Sequence, residues 1–518
     1  MRTPRIFLGL LVSLLCGAQP LEAAPPRDPL AMAARIDELL AIKLDQAKTP
    51  AIEAASDAEF LRRAYLDLTG RIPRVSETRA FLKQSDPQRR LQLVDQLLER
   101  PTHSTHLAQT WQRFLLPEGA DVVRFGGARD FELWLRQQFS DNRPYDAVVR
   151  EVILASGPVG RGPTLFYTAL ENKPEELAAA TSRSFLGVQI QCAQCHDHPH
   201  DKWKQDDFWG YAAFFARLEK PGGMQQVTPQ LRDTDQGEVE DPRTKLPVAP
   251  RYLLGRIAAP EPNQSRRQQL ATWLTANENP YFAAAAVNRS WALLFGRGLV
   301  EPIDDLGEHN PPSHPELWQE LAAYFQATNY DLRNLLRVLA STEAYGRTSL
   351  LRDGETPTAP ELFARMALKP LTAEQLYDCL AVATCKHDLA PPARREVNSN
   401  IGSERAMFLD KFRGPASGGT EYHAGIPQAL TLMNGALIGS ATDVEQSAIL
   451  RSIDAPFFTE ADRIETLFLA TLSRPPSADE SAKFVSYLES ELTEAERRRA
   501  LSDVLWALLN SAEFVLNH

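Results

Sequence analysis

Residues 56–70 read Ser56-DAEFLRRAYLDLT-Gly70, and this stretch decides the fold class. Phe60, Leu61, Ala64, Tyr65 and Leu68 recur at the spacing that lines side chains along one face of an α-helix. Ser56 and Glu59 have the spacing of a capping box, and Gly70 followed by Pro73 supplies a stop, so the segment is expected to be helical. Residues 86–100 repeat the grammar: Asp86 caps, Pro87 takes the first helical position, Leu91, Val94, Leu97 and Leu98 form a stripe, and Pro101 ends it. Working outward, the same signs predict helices over 130–139, 145–155 and 174–186. Between Pro221 and Asn263 the pattern gives way to Pro, Gly, Asp and Gln without periodicity. Helical spacing then returns at 265–277, 282–295, 315–326, 332–342, 372–383, 427–437, 461–472, 477–492 and 494–516. The expected architecture is mainly α: a helical domain over 27–220, an irregular loop or short-strand insert over 221–263, and a second helical domain over 264–518.

The amino terminus has the three parts of a secretory signal: Arg2 and Arg5, an apolar run from Ile6 to Ala18, and small residues at Ala18, Ala23 and Ala24. That run is shorter than the roughly 20 residues a helix needs to cross a bilayer core, so residues 1–23 are expected to be removed and the chain exported to the periplasm or cell envelope. Leu15 before Cys16 argues against a lipid-attachment signal, which needs a small residue there. No later stretch is apolar enough to span a membrane. The 518-residue chain carries a formal charge of −11, a balance that argues against a nucleic-acid partner.

The chemistry is concentrated in Cys192-AQ-Cys195-His196, followed by Asp197, His198, His200 and Asp201. Two thiols at this spacing reach the two vinyl groups of a haem while the next imidazole meets the iron. A chain of this composition contains the pattern by chance about once in a thousand. The favoured reading is one covalent c-type haem on Cys192 and Cys195 with His196 on iron, in a protein of electron transfer or other redox chemistry. Three other readings stay open. One is a zinc or other metal site built from Cys192, Cys195 and two of His196, His198 and His200, with Asp197 or Asp201 nearby, in a non-redox binding or assembly protein. The second is a disulfide; the third is a redox dithiol, although no βαβ pattern surrounds the motif.

His198 and His200 are too close to His196 in sequence to pass around a porphyrin edge, so distal ligands are sought among Met224, His309, His314, His423 and Met433. Trp203, Phe208, Trp209, Tyr211, Phe214 and Phe215 follow the motif and serve equally as a haem-pocket wall or as an ordinary core helix capped by Asp206 and Asp207. Asn288, Arg289, Asp304, Asp305, His309 and His314 gather the polar content of a second region; as an enzyme site they would supply acid–base groups and a substrate clamp. Ser313 and Glu316 place His314 in a capping box, an architectural alternative. Cys379 and Cys385 lie six apart in an expected helix, beyond disulfide reach, and are read as free thiols.

Several long segments resemble the secreted planctomycete cytochrome-like proteins, in which a PSCyt-type domain precedes a PSD-type domain. In the first part they are Phe60-LRRAYLDLTGRIP-Arg74, Arg143-PYDAVVRE-Val152 and Phe185-LGVQIQCAQCHDHPHDKWKQDDFWGYAAFF-Ala216. The join is similar at Gly237-EVEDPRTKLPVAPRYLL-Gly255, and the second part at Val287-NRSWALLFGRGLVEPIDDLG-Glu308, Pro311-PSHPEL-Trp318 and Pro427-QALTLMN-Gly435. The resemblance implies a cytochrome-like first domain, a secreted sulfatase-like partner and a link to polysaccharide use, and no particular reaction; the haem reading adds a redox protein as the other expected partner. The chain departs from the pattern at Cys379 and Cys385 and at Tyr345-Gly346-Arg347, where a Tyr-Arg pair is usual.

Overall fold

The computed structural model describes residues 28–116, 127–219, 229–386 apart from 254 and 353, 404–412, and 433–518 apart from 434, 491 and 492. The amino-terminal signal reading falls outside these residues, as do Met224 and His423. The chain is mainly helical, with 57% of it in helix, and among the described residues the sheets are two small two-stranded ones. Among the described residues no helix is long and apolar enough to cross a membrane.

The Ser56–Gly70 stretch forms a helix over Asp57–Thr69, with the Glu59 N–H donating to Ser56 Oγ at 3.1 Å and Gly70 closing it at φ +71°. Only half of the expected capping box forms, because the Glu59 carboxylate turns to Arg63 at 2.7 Å and to Thr348 and Ser349. Residues 59–69 of this helix are all buried, so its polar face is as enclosed as its apolar one. The helix expected over 86–100 spans Arg89–Leu98, with the Asp86 carboxylate accepting the Gln88 N–H at 2.8 Å. Pro101 does not merely end it: it sits in the first turn of a further helix, Pro101–Leu115. Proline's fixed φ and missing N–H suit that position as well as they suit a stop. Another helix outside the expected set is Pro29–Gln46.

Among the described residues two large apolar cores hold the chain together, with a small third cluster of Ala284, Ala285, Val300 and Leu306. The first joins Phe60, Trp111, Phe166 and Tyr211 to Leu270, Trp291, Leu335 and Phe363, so packing runs across the irregular 221–263 segment instead of dividing there. The second gathers Leu371, Leu380, Phe468, Leu505 and Phe514, and takes Leu66 and Ile72 from the amino-terminal part. The Asp57–Thr69 helix therefore feeds both. Within 221–263 the described backbone is irregular, and Gln230–Leu231 pairs antiparallel with Gly157–Pro158.

Between the cores the same helix carries buried charge. Arg62 is fully buried and donates to carbonyls of Thr471, Glu513 and Phe514 at 2.9–3.0 Å, at the ends of the Glu460–Thr471 and Ala512–Val515 helices, where carbonyls lack intrahelical partners. Arg63 donates to the Tyr345 and Arg347 carbonyls at 2.6 and 2.8 Å. Asp67 accepts from Lys369 at 2.5 Å, Tyr345 at 2.9 Å and Asn517 at 2.7 Å. Burial pushes the Asp67 carboxyl up and the Lys369 amine down, and each group's charge offsets part of the other's shift.

Candidate functional site

The π-turn Ser182–Leu186 ends at Gly187, whose φ of +64° a side chain would strain. A Cβ on Gly187 would lie 2.8 Å from Leu306 Cδ1, so the glycine also permits close approach of the 301–310 loop, whose Leu306 N–H donates to the Gly187 carbonyl at 2.7 Å. Val188, Ile190 and Ala193 are buried and pin the chain, while a 3-10 turn over Gln191–Gln194 leaves the Cys192 and Cys195 thiols free and exposed on either side of Ala193. No disulfide joins them.

The loop is tied down from the next helix, Gln205–Ala212. Gln205 Nε2 donates to the Gln194 and Cys195 carbonyls at 3.1 and 3.0 Å, and Trp209 Nε1 donates to the Gln194 carbonyl at 3.1 Å. The Gln205 N–H meets Asp197 Oδ1 at 3.0 Å, and the His198 N–H meets the Trp203 carbonyl at 2.8 Å. Asp207, not Asp206, shares the helix start by accepting the Lys204 N–H at 3.0 Å. Trp203, Phe208, Tyr211, Phe214 and Phe215 are buried in the first core, so they anchor the loop from behind.

His196 and His200 are exposed and His198 is half-buried. His196 Nδ1 lies 2.8 Å from the Asp197 carbonyl, which fixes that nitrogen as the N–H donor and leaves Nε2 as the lone-pair nitrogen. A hydrogen bond of this kind sets the tautomer and ring orientation of a metal-bound imidazole. Two reachable thiols and one oriented imidazole fit the attachment chemistry of a c-type haem. His198 Nδ1 instead accepts the His200 N–H at 3.3 Å. Among the described residues no three His, Cys, Asp or Glu side chains gather around one point as a metal cage, so Cys192, Cys195, His198 and His200 do not converge as they stand.

The polar residues singled out in the second region disperse into different roles. Asn288 is buried and holds the 300–303 backbone, donating to the Val300 and Ile303 carbonyls at 2.9 and 3.0 Å and accepting the Val300 N–H at 3.0 Å. Arg289 is buried, donates to the Arg183 carbonyl at 2.6 Å and stacks over Phe114. His314 packs against Phe363, and burial pushes its pKa down to about 4. The expected capping box at Ser313 is absent: His314 itself is the N-cap, Ser313 Oγ donates to the Leu299 carbonyl at 3.1 Å, and Glu316 is taken by Arg35 at 2.9 Å. Tertiary bonds have outbid the local one. Met433 lies by Trp506, whose Nε1 donates to its carbonyl. Cys379 is buried and Cys385 lies past the end of the Ala373–Ala383 helix, both as free thiols; burial pushes the Cys379 thiol up to about 12.

Asp304 and His309 do reach the segment around Cys192, and Asp305 meets His309 within its own loop. Gln189 Nε2 donates to Asp304 at 3.0 Å, Lys202 pairs with Glu308 at 2.9 Å, and His309 stands between Asp305 and Asp201. In the sequence Asp201 is only a neighbour of the Cys/His run, and no spacing marks it as facing His309. A cavity of about 610 Å³ lies elsewhere, lined among others by Ser56, Leu350, Leu472 and His518 at the seam of the two cores, with Arg474 there already neutralising Glu480 and Glu513.

Fold and site together define a mainly helical protein in which an exposed, backbone-anchored Cys/His loop is docked against a loop from its second half. Residues 35–220 match the PSCyt2 family, described as a protein of unknown function (DUF1549), and residues 266–406 match PSD1, described as a protein of unknown function (DUF1553). The chain belongs to the proteins in which a PSCyt2 domain precedes a PSD1 domain. No curated protein and no solved structure matches it.

Proposed function

We propose that the chain is an exported c-type haem protein of the periplasm or cell envelope that passes single electrons to and from a redox partner protein. Cys192 and Cys195 form the thioethers and His196 Nε2 is the proximal ligand. A haem bound there supplies reversible one-electron chemistry at iron. The observation that carries the reading is the His196 Nδ1 contact to the Asp197 carbonyl, which presents the opposite nitrogen beside two exposed thiols. The haem reading asks for one protein nitrogen and two thiols, all present; a zinc cage asks for four converging donors. Gln205 and Trp209 hold the attachment turn through its carbonyls, so the thiols keep their spacing without a disulfide. The exposed position of the loop leaves a docking partner access to it.

The test is expression of the mature chain in a host with haem-attachment machinery, followed by denaturation. Retention of the Soret band through denaturation and its loss in Cys192→Ser/Cys195→Ser is the expected result. A colourless product, or haem extracted by acid and organic solvent, overturns the proposal.

A further inference from the structure

The geometry points to a second, separate site: a divalent first-row transition ion held between the two domains by His309 Nδ1 and Asp201 Oδ2. His309 Nε2 lies 3.2 Å from Asp305 Oδ2, so in the neutral ring the N–H is on Nε2 and Nδ1 carries the lone pair. That lone pair faces Asp201 Oδ2 at 3.6 Å, beyond hydrogen-bond length. Asp201 is nearly enclosed, its side chain 6% exposed, and its other oxygen already accepts the Lys202 N–H at 2.7 Å. Two lone pairs held face to face repel each other unless something positive lies between them. A proton there would draw nitrogen and oxygen to about 2.7–2.9 Å, the length of a charge-assisted bond. The separation of 3.6 Å instead suits two donors each about 2.0–2.2 Å from a shared ion.

Gly307 is the independent observation. A Cβ built there falls 2.5 Å from His309 Nδ1 and 2.7 Å from Asp201 Oδ2, in the space between the two donors. Gly307 is not among the residues of positive φ, so its backbone does not require glycine; the room beside the donors does. Asp305 on Nε2 is the outer carboxylate that fixes tautomer and ring orientation in metal-bound histidines. One imidazole and one carboxylate select borderline ions such as Zn²⁺ or Co²⁺ over Ca²⁺, with water completing the shell. The His198 ring centroid is 6.5 Å from that of His309, which puts a further imidazole within a side-chain rotation of the site. Asp201 comes from the PSCyt2 segment, and Asp305, Gly307 and His309 from the PSD1 segment, so a bound ion links the two.

The probe is Co²⁺ alone, titrated into tag-free chain while its visible d–d bands and binding heat are followed. The Cys192→Ser/Cys195→Ser chain is titrated in parallel, so that thiol ligation and haem are both out of play. One equivalent bound in both chains, with nitrogen and oxygen but no sulfur charge-transfer bands, is expected. Affinity falls more than 100-fold in His309→Ala and Asp201→Asn and 10–100-fold in Asp305→Asn. Gly307→Ala, which keeps every donor, abolishes binding, and far-UV circular dichroism and thermal unfolding unchanged from the parent in every variant separate loss of the site from misfolding. Saturation that needs the cysteines, or that survives His309→Ala, overturns the site, and so does the absence of any binding. Because the haem proposal is judged by a covalent Soret band, either can fail without the other.

Discussion

The Asp57–Thr69 helix and the Cys192–Asp201 loop are the two most motif-rich stretches of the chain, and they meet opposite fates. The helix buries two arginines and an aspartate with their partners, and its charges clamp the carboxyl-terminal helices to the amino-terminal core. The loop exposes two thiols and two imidazoles and spends its backbone groups on anchoring. A dense polar motif thus signals either architecture or chemistry, and burial decides which. A buried ion saturated by carbonyls has no lone pair or proton to offer a substrate, whereas an exposed side chain held by its neighbours does.

Breaking the helix side of this comparison gives the largest effects. Asp67→Asn leaves the partly buried Lys369 amine, held against the Leu293 and Leu294 carbonyls, without its counter-charge and is expected to cost about 3 kcal/mol in urea unfolding; a loss below about 1 kcal/mol would show that the clamp is not set by charge. Acid comes next. Burial depresses His103 to about 4, His106 to about 3 and His314 to about 4. Unfolded histidines titrate near 6.5, so below that pH the unfolded chain binds more protons. Stability is then full above about pH 6.5 and falls by about 1.4 kcal/mol per pH unit per histidine until the folded pKa is reached. Denaturation midpoints measured from pH 7 to 4 should show this slope, and His314→Gln should remove one such increment.

The loop side yields smaller changes in stability. Gln205→Ala removes two donors from the Gln194 and Cys195 carbonyls and should cost about 1–2 kcal/mol, with faster amide exchange confined to residues 191–198. Exchange that spreads into the Asp57–Thr69 helix would erase the contrast between the regions. Cys192→Ser/Cys195→Ser should shift stability of the haem-free chain by less than about 0.5 kcal/mol, because both thiols are exposed and unpaired. A larger loss in thermal unfolding would make the loop architectural as well.

Much of the helical order was readable because capping residues and apolar spacing act over a single turn. Where reading failed, a local signal had two meanings or a distant partner intervened. Pro101 suits a helix stop and a helix start alike, which hid the Pro101–Leu115 helix. The helix read over 174–186 keeps those bounds, but its winding changes from α to π after Thr181, which apolar spacing does not announce. Ser313 and Glu316 carry the letters of a capping box, yet Leu299 and Arg35 claim their side chains. The Asp304 to His309 segment was visible as polar content, but only folding separates Asp304 and His309, which reach Gln189 and Asp201 on either side of the thiols, from Asn288 and Arg289, which hold backbone.

By itself the sequence determined the mainly helical class, the order of its PSCyt2 and PSD1 segments and the Cys192, Cys195 and His196 spacing, because each rests on contiguous stretches of chain. Only the tertiary structure decided that one apolar core crosses the irregular segment, that Arg62, Arg63 and Asp67 are buried, and that His309 faces Asp201. Those are relations between remote stretches, fixed by which apolar faces pair when the chain collapses, and no local spacing encodes them.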